Sequence, residues 1–208
     1  MDIKTEVNME QAILDMAEKL FIEKGFDATS TVQIAKAVGC NQALVHYYFR
    51  TKENLFNTIF ESKFRLFFQK IFDLSHLENM NFSEKISYFA SSHFDLLIEN
   101  PYMPRLILNE LSRKPESIKV LREKLHSLPE MLYAQLNKDL QMEIAAGKVR
   151  NVDLLDILIT VISMNVALFT LLPVAVNVIG MNSAMKDQLL KHRREENTKL
   201  ILSYLKPE

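Results

Sequence analysis

The chain has 208 residues, 48% of them hydrophobic, with four Gly, six Pro, one Cys and a formal net charge of −1. That size and apolar share suffice for a sizeable core, and few glycines and prolines suit long helices, whereas a single cysteine excludes an intramolecular disulfide. The opening stretch MDIKTEVNMEQ lacks the basic-then-apolar form of a signal peptide, so a soluble cytoplasmic protein is expected. Charge is balanced locally too. Lys4, Lys19, Lys24, Lys36, Arg50 and Lys52 stand against Asp2, Glu6, Glu10, Asp15, Glu18, Glu23 and Asp27, so any positive surface at this end must come from placement rather than from net charge.

The first element is an amphipathic helix, because Met9, Ala12, Ile13, Met16, Ala17, Leu20 and Phe21 recur at steps of three and four. Residues 25–55, GFDATSTVQIAKAVGCNQALVHYYFRTKENL, then read as two short helices joined by a tight turn and followed by a third helix start. Ser30 and Gln33 make a capping box, Ile34, Ala35 and Val38 give one apolar face, and Gly39 ends the helix. Asn41 caps the next helix, on which Val45 and Phe49 face inward while Ala43, His46, Tyr47 and Arg50 face out. Thr51 caps a further helix that carries Lys52 in its first turn, where the helix dipole disfavours a cation unless an anion such as phosphate lies near. This is the pattern of a DNA-reading helix-turn-helix.

Across residues 9–60, Gly25, Phe26, Thr29, Ile34, Ala35, Gly39, Tyr47, Phe49, Lys52, Glu53 and Leu55 fall in the order and spacing of the TetR family of bacterial transcriptional repressors, which this segment resembles. His46 stands where an aromatic is common in that family, Tyr48 where His is common and Cys40 where Val is common, departures that bear on the operator sequence rather than on the binding mode. The resemblance implies that Tyr47 and Lys52 hold the DNA backbone. By position on a recognition helix, Gln42 hydrogen-bonds a base edge, Ala43 or Leu44 touches a thymine methyl, and His46 meets a base or phosphate, with Tyr48 beside them. Thr29, Ser30 and Thr31 add phosphate contacts at the preceding helix N-terminus. Cys40, at an apolar turn position, reads as packed and inert.

Beyond the head, Leu55, Ile59, Phe60, Phe64, Phe67, Phe68 and Ile71 carry the helix from Lys52 to about Asp73. Asn81 and Glu84 form a second capping box before a helix ending near Asn100, and Pro101, Pro104, Pro115 and Pro129 punctuate the segments that follow. Gly147 to Asn151 is a break, followed by a long apolar helix to about Ile179 and a last one from about Ser183 to Leu205. Ile157 to Met181 holds no charged residue and is long enough to cross ~30 Å of hydrocarbon. Against a membrane span stand Thr160, Ser163, Asn165 and Asn177 within it and no Trp or Tyr at its ends. A helix apolar all round is equally expected between its own core and a second subunit. Leu168, Leu172, Leu190, Ile201, Leu202 and Leu205 are the residues expected at such a dimer interface, with two helices from each chain forming a four-helix bundle.

No catalytic or metal-binding spacing is present: His76, His93, His126 and His192 are scattered, and there is neither an HExxH motif nor a Gly-rich phosphate loop. Neither enzymatic activity nor a cofactor or metal is expected. Phe64, Phe68, Phe89, His93, Met103, Met131, Met164 and Phe169 are candidates for lining an effector pocket, each with a plain alternative as core. The reading is all-α: a helix-turn-helix head (residues 1–53) continuous with an effector-binding and dimerisation body (residues 54–208). Its expected partners are a pseudo-palindromic double-stranded operator, a small and largely apolar effector, and a second copy of the chain. A ligandless constitutive DNA-binding protein is one alternative. A membrane-attached helical protein using residues 157–181 is another.

Overall fold

The structure, a computed structural model, describes residues 3–71, 79–115, 119 and 128–207, and the side chains among these except those of 3–8, 67–71 and 128. The side chains of Phe67, Phe68, His76 and His126 lie outside that set. Among the described residues every regular element is helical: α1 (Ile3–Lys24), α2 (Thr31–Val38), α3 (Gln42–Phe49), α4 (Lys52–Ile71), α5 (Phe82–Glu99), α6 (Met103–Arg113), α7 (Leu128–Ala145), α8 (Leu154–Ile179) and α9 (Ser183–Tyr204). Pro104 and Pro129 sit in the first turns of α6 and α7, where a missing N–H costs nothing.

The chain divides into two compact units: residues 1–65 with 105–114, and residues 66–104 with 115–208. The head unit is therefore larger than the 1–53 expected from the sequence. It takes in most of α4 and, out of chain order, most of α6. In this unit Ile13, Ala17, Leu20 and Phe21 of α1 are buried with Ile34, Ala35, Val45 and Phe49, as the apolar spacing requires. Phe21, Phe26 and Phe56 form an aromatic triangle with centroids 5.1–5.7 Å apart. Arg113 from α6 stacks 3.9 Å over Phe26 and bonds the fully buried Glu110 carboxylate at 2.7 Å. A cavity of about 470 Å³ opens beside this stack, lined by Phe21, Lys24, Phe26, Phe56, Leu106 and Arg113 among others.

The second unit packs α5 against α8 and α9. One face of α8 is buried, through Leu154, Ile157, Val161, Asn165, Phe169 and Leu172. Phe169 meets Phe94 edge-on at 5.3 Å, in a cluster with Leu97, Leu172 and Leu190. Amid this apolar core runs a chain of polar groups. Asn165 Nδ2 donates to the Ala90 carbonyl (3.0 Å) and to His93 Nδ1 (3.2 Å), its Oδ1 accepts from Asn197 Nδ2 (2.8 Å), and Asn197 Oδ1 accepts from Arg193 (2.6 Å). A buried amide stabilises only when its groups are bonded, so this chain fixes the register of α5, α8 and α9 against one another.

The opposite face of α8 is apolar and exposed at Leu155, Ile159, Leu171, Val174 and Val178. These residues step by fours and threes, with exposed Ser163 and Ala167 between them, and so form one stripe. By length and composition this helix is able to cross a membrane, yet its other face is committed to the chain's own core and to the Asn165 bonds. The assignment of Leu172, Leu190, Ile201 and Leu205 to a subunit interface is corrected by their burial inside the chain: period 3.6 identifies apolar faces, but not which of two covers belongs to which. Leu168 and Leu202 are half-buried.

Burial pulls the His93 imidazole from 6.5 down to about 4, so the ring is neutral in the folded protein and accepts the Asn165 N–H. The unfolded chain takes up the proton first. This stabilisation is therefore complete above pH 6.5 and is lost as pH falls toward about 4, a span worth ~3 kcal/mol at ~1.4 kcal/mol per unit. Urea unfolding at pH 7 and 4.5 should show His93→Gln losing ~2–3 kcal/mol less than wild type between the two conditions.

Candidate nucleic-acid interface

The Ser30 cap of α2 is realised in full: its hydroxyl accepts from the Gln33 amide at 3.2 Å while the Gln33 side chain accepts from the Ser30 N–H at 3.0 Å. Gly39 ends α2 at φ 82°, a conformation disfavoured for a residue with a Cβ, and its N–H returns to the Ala35 and Lys36 carbonyls. Asn41 then caps α3, accepting from Leu44 N–H at 2.8 Å. Val45 and Phe49 are buried, which turns Gln42, Ala43, His46 and Tyr47 to the outside. Leu44 and Tyr48 are half-buried, Tyr48 meeting the Tyr47 ring edge-on at 5.2 Å. Tyr47 is 72% exposed, unusual for a large aromatic without a partner to touch. Cys40 is half-buried beside the α2–α3 turn.

Lys52 has partners within the head itself. Its ammonium donates to the Phe26 carbonyl at 2.9 Å and the Thr29 carbonyl at 3.0 Å and lies 4.1 Å from the Phe26 ring centroid. Bonds from a charged donor are worth ~1.5–3 kcal/mol each against a dipole cost of ~0.3–1, so the fold itself offsets the unfavourable helix position without a phosphate. Thr29 is likewise corrected as a phosphate donor: it is 1% exposed, and its hydroxyl donates inward to the Leu20 and Gly25 carbonyls. Ser30 remains exposed and Thr31 half-buried at the α2 N-terminus.

Three outward groups on α3 and α2 are joined. Gln42 Nε2 lies 3.1 Å from Thr31 Oγ1 and 3.1 Å from His46 Nε2, and His46 Nδ1 lies 2.8 Å from the Arg50 carbonyl. Arg50, expected from its spacing to face out, has a backbone conformation that periodicity does not reveal. It is the one non-glycine with positive φ among the described residues, at φ 60° and ψ −52°, and the Thr51 N–H closes a tight γ-turn on the Phe49 carbonyl at 2.6 Å. Such a backbone costs ~1–3 kcal/mol and holds an exposed guanidinium at the end of α3, three residues after Tyr47.

The pocket candidates differ in exposure. Phe89, His93, Met103 and Phe169 are buried, Phe89 stacking on His93 at 6.2 Å. Phe64 and Met164 are half-buried, Met131 is 64% exposed, and Phe68 falls outside the described side chains.

Residues 13–59 match the family described as bacterial regulatory proteins, tetR family. The chain is 42% identical over 50 residues to the HTH-type transcriptional regulator QacR of Staphylococcus aureus, covering 24% of this chain and 27% of that one. It is 25% identical over 116 residues to the fatty acid metabolism regulator protein of Bacillus subtilis, covering 56% and 58%. The alignments thus span from about a quarter to somewhat over half of these curated relatives. In fold, the structure superposes on a bacterial regulatory protein in the tetR family from Rhodococcus RHA1 with a TM-score of 0.74 and 16% identity, over 96% of this chain and 98% of that one.

Replacing Arg50 by glycine should separate backbone strain from charge. Unfolding by denaturant is expected to show a gain of ~1 kcal/mol as the positive φ becomes unstrained. If the outward face of α3 meets duplex DNA, affinity should fall at the same time, because an exposed cation at the end of that helix is gone, and the slope of log K against log salt should shrink by about one.

Proposed function

We infer that this chain, whose N-terminal head belongs to the tetR family of bacterial regulatory proteins, is a cytoplasmic DNA-binding transcriptional repressor that works as a homodimer. The observation that carries the reading is the outward face of α3: a doubly capped helix seated by Val45 and Phe49 on a three-helix head, presenting Gln42, Ala43, His46 and Tyr47 to solvent. An α-helix with this face fits the major groove, its N-terminal residues toward the base edges and its C-terminal end toward the backbone. Thr31 and Ser30, at the N-terminus of α2, and Tyr47 and Arg50, at the end of α3, are the groups available to phosphates. Lys52 acts here by holding the Phe26–Thr29 loop.

Dimerisation is supported by the exposed stripe of α8 and by exposed Met185, Leu200 and Tyr204 on α9. A continuous apolar band of this length is costly to leave in water, and a two-fold axis through it covers each copy with the other. A two-fold dimer carries two heads, so the operator is a pseudo-palindrome with half-sites ~34–36 Å apart or a multiple of that spacing.

For the effector, support comes from the Phe and Met supply of the second unit and from a relative named for fatty acid metabolism whose alignment extends past the head. A largely apolar molecule that binds better to the state with poor operator affinity shifts the population by its differential affinity, typically ~1–3 kcal/mol of coupling. A ligand that raises Tm while weakening operator binding supports this account. Stabilising ligands that leave operator affinity unchanged support the constitutive alternative.

Binding of selected and random duplexes, compared at moderate salt, tests the DNA reading: wild type should discriminate, and Tyr47→Ala should weaken both classes. Two adjacent substitutions test the assembly. Leu171, 61% exposed, faces the proposed partner, and Leu172, 6% exposed, faces the chain's own core. Leu171→Glu should give a folded monomer by light scattering and circular dichroism that has lost operator binding, whereas Leu172→Glu should unfold the chain by burying a charge. A wild type that is monomeric at micromolar concentration would remove the dimer.

A further inference from the structure

Building on the DNA-reading role inferred above, we propose that His46, together with Thr31, locks the Gln42 side chain as a hydrogen-bond acceptor toward DNA, so that one position of each half-site is read for a base bearing an exocyclic amino group, adenine or cytosine. His46 is on this view a positioning residue and not itself a reader of bases.

The geometry is a line of three hydrogen bonds whose directions are set by chemistry. Carbonyl oxygens only accept, so His46 Nδ1, 2.8 Å from the Arg50 oxygen, carries its proton, and in the neutral ring Nε2 then holds a lone pair. A primary amide nitrogen has two N–H groups and no acceptor capacity. Gln42 Nε2 spends one on that Nε2 and one on Thr31 Oγ1, each at 3.1 Å. Reversing the amide would set Gln42 Oε1 against the His46 lone pair. The oxygen therefore faces away from both partners, on the exposed first residue of α3.

A glutamine free to turn pairs with adenine through both atoms, accepting from N6 and donating to N7. With both N–H groups committed, that bidentate pair is unavailable here, and a single acceptor remains. In the major groove the donors are N6 of adenine and N4 of cytosine, whereas guanine and thymine offer O6, N7 and O4, lone pairs that repel Oε1. Adenine and cytosine are accepted and the keto bases rejected. Because the lock is anchored on α2 at Thr31 and on the strained turn at Arg50, it ties this choice to the placement of both elements.

The test is selection of bound duplexes from a randomised half-site library by the purified full-length protein, followed by sequencing. Gln42→Ala identifies the position concerned as the one whose preference flattens. At that position wild type should enrich adenine and cytosine to similar extents over guanine and thymine. His46→Phe, which keeps an aromatic ring but no acceptor, and Thr31→Val, which leaves the His46–Arg50 bond intact, each free one N–H of Gln42. Both should narrow the preference to adenine, by about fivefold or more over cytosine, since the bidentate pair is restored. Circular dichroism should show both variants folded as wild type is, which separates a narrowed preference from general damage to the head, and Thr31→Ser, which retains the acceptor, should behave as wild type. Enrichment of guanine or thymine by wild type, or an unchanged preference in both His46→Phe and Thr31→Val, overturns the lock while leaving DNA reading in place. Absence of any enriched sequence for wild type overturns the DNA-reading role itself and the lock with it.

Discussion

The head is organised around the carbonyl groups of one loop. Between α1 and α2 the chain turns through Phe26 to Thr29, and backbone oxygens there and just before would be costly to bury unpaired. Lys52 Nζ takes two, those of Phe26 and Thr29, and the Thr29 hydroxyl shares its one proton between those of Gly25 and Leu20. Three donor protons thus join the end of α1, the start of α2 and the first turn of α4. Since α3 lies between α2 and α4 in the chain, fixing those two ends leaves it few choices of placement. The charged donor decides the outcome: it gains more from the loop than it loses to the α4 dipole.

From that constraint the outward groups acquire their relation. With α2 and α3 held, Thr31 comes within reach of Gln42 across eleven residues of sequence, and His46 within reach of the Arg50 carbonyl. The Arg50 turn is strained in isolation, and a strained backbone persists only where its surroundings over-determine it. Here those surroundings are the Thr51 bond to Phe49 and the His46 ring. Local strain, side-chain orientation and the exposed face of α3 are in this sense one arrangement.

The second unit uses the same logic with different groups. Apolar packing between helices is tolerant of sliding, because leucine against leucine is nearly as good one turn away. A buried line from Arg193 through Asn197 and Asn165 to His93 and the Ala90 carbonyl is not tolerant, since a shift leaves amides unbonded in a low-dielectric core. It also gives α8 two distinct faces. The one carrying Asn165 is committed to the chain, and the stripe from Leu155 to Val178 is left outside.

The sequence alone determined what depends on neighbours within about four residues. Capping at Ser30, Asn41, Thr51 and Asn81, termination at Gly39, the apolar faces of α1 to α3 and the helical class follow from side chains reaching their own backbone, and all are present as expected. Tertiary structure decided the rest. Whether the Thr29 hydroxyl faced out or toward the Leu20 carbonyl, whether Lys52 found partners within the head, and whether Leu172 faced out or packed with Phe94 depended on groups many residues away, and an apolar or polar residue type is the same in either case. The extent of the head is the plainest example. Residues 105–114 join it across a gap in the sequence, through Arg113 on Phe26 and Glu110 beneath, a placement that no periodicity encodes because periodicity reports which face is buried and never against what.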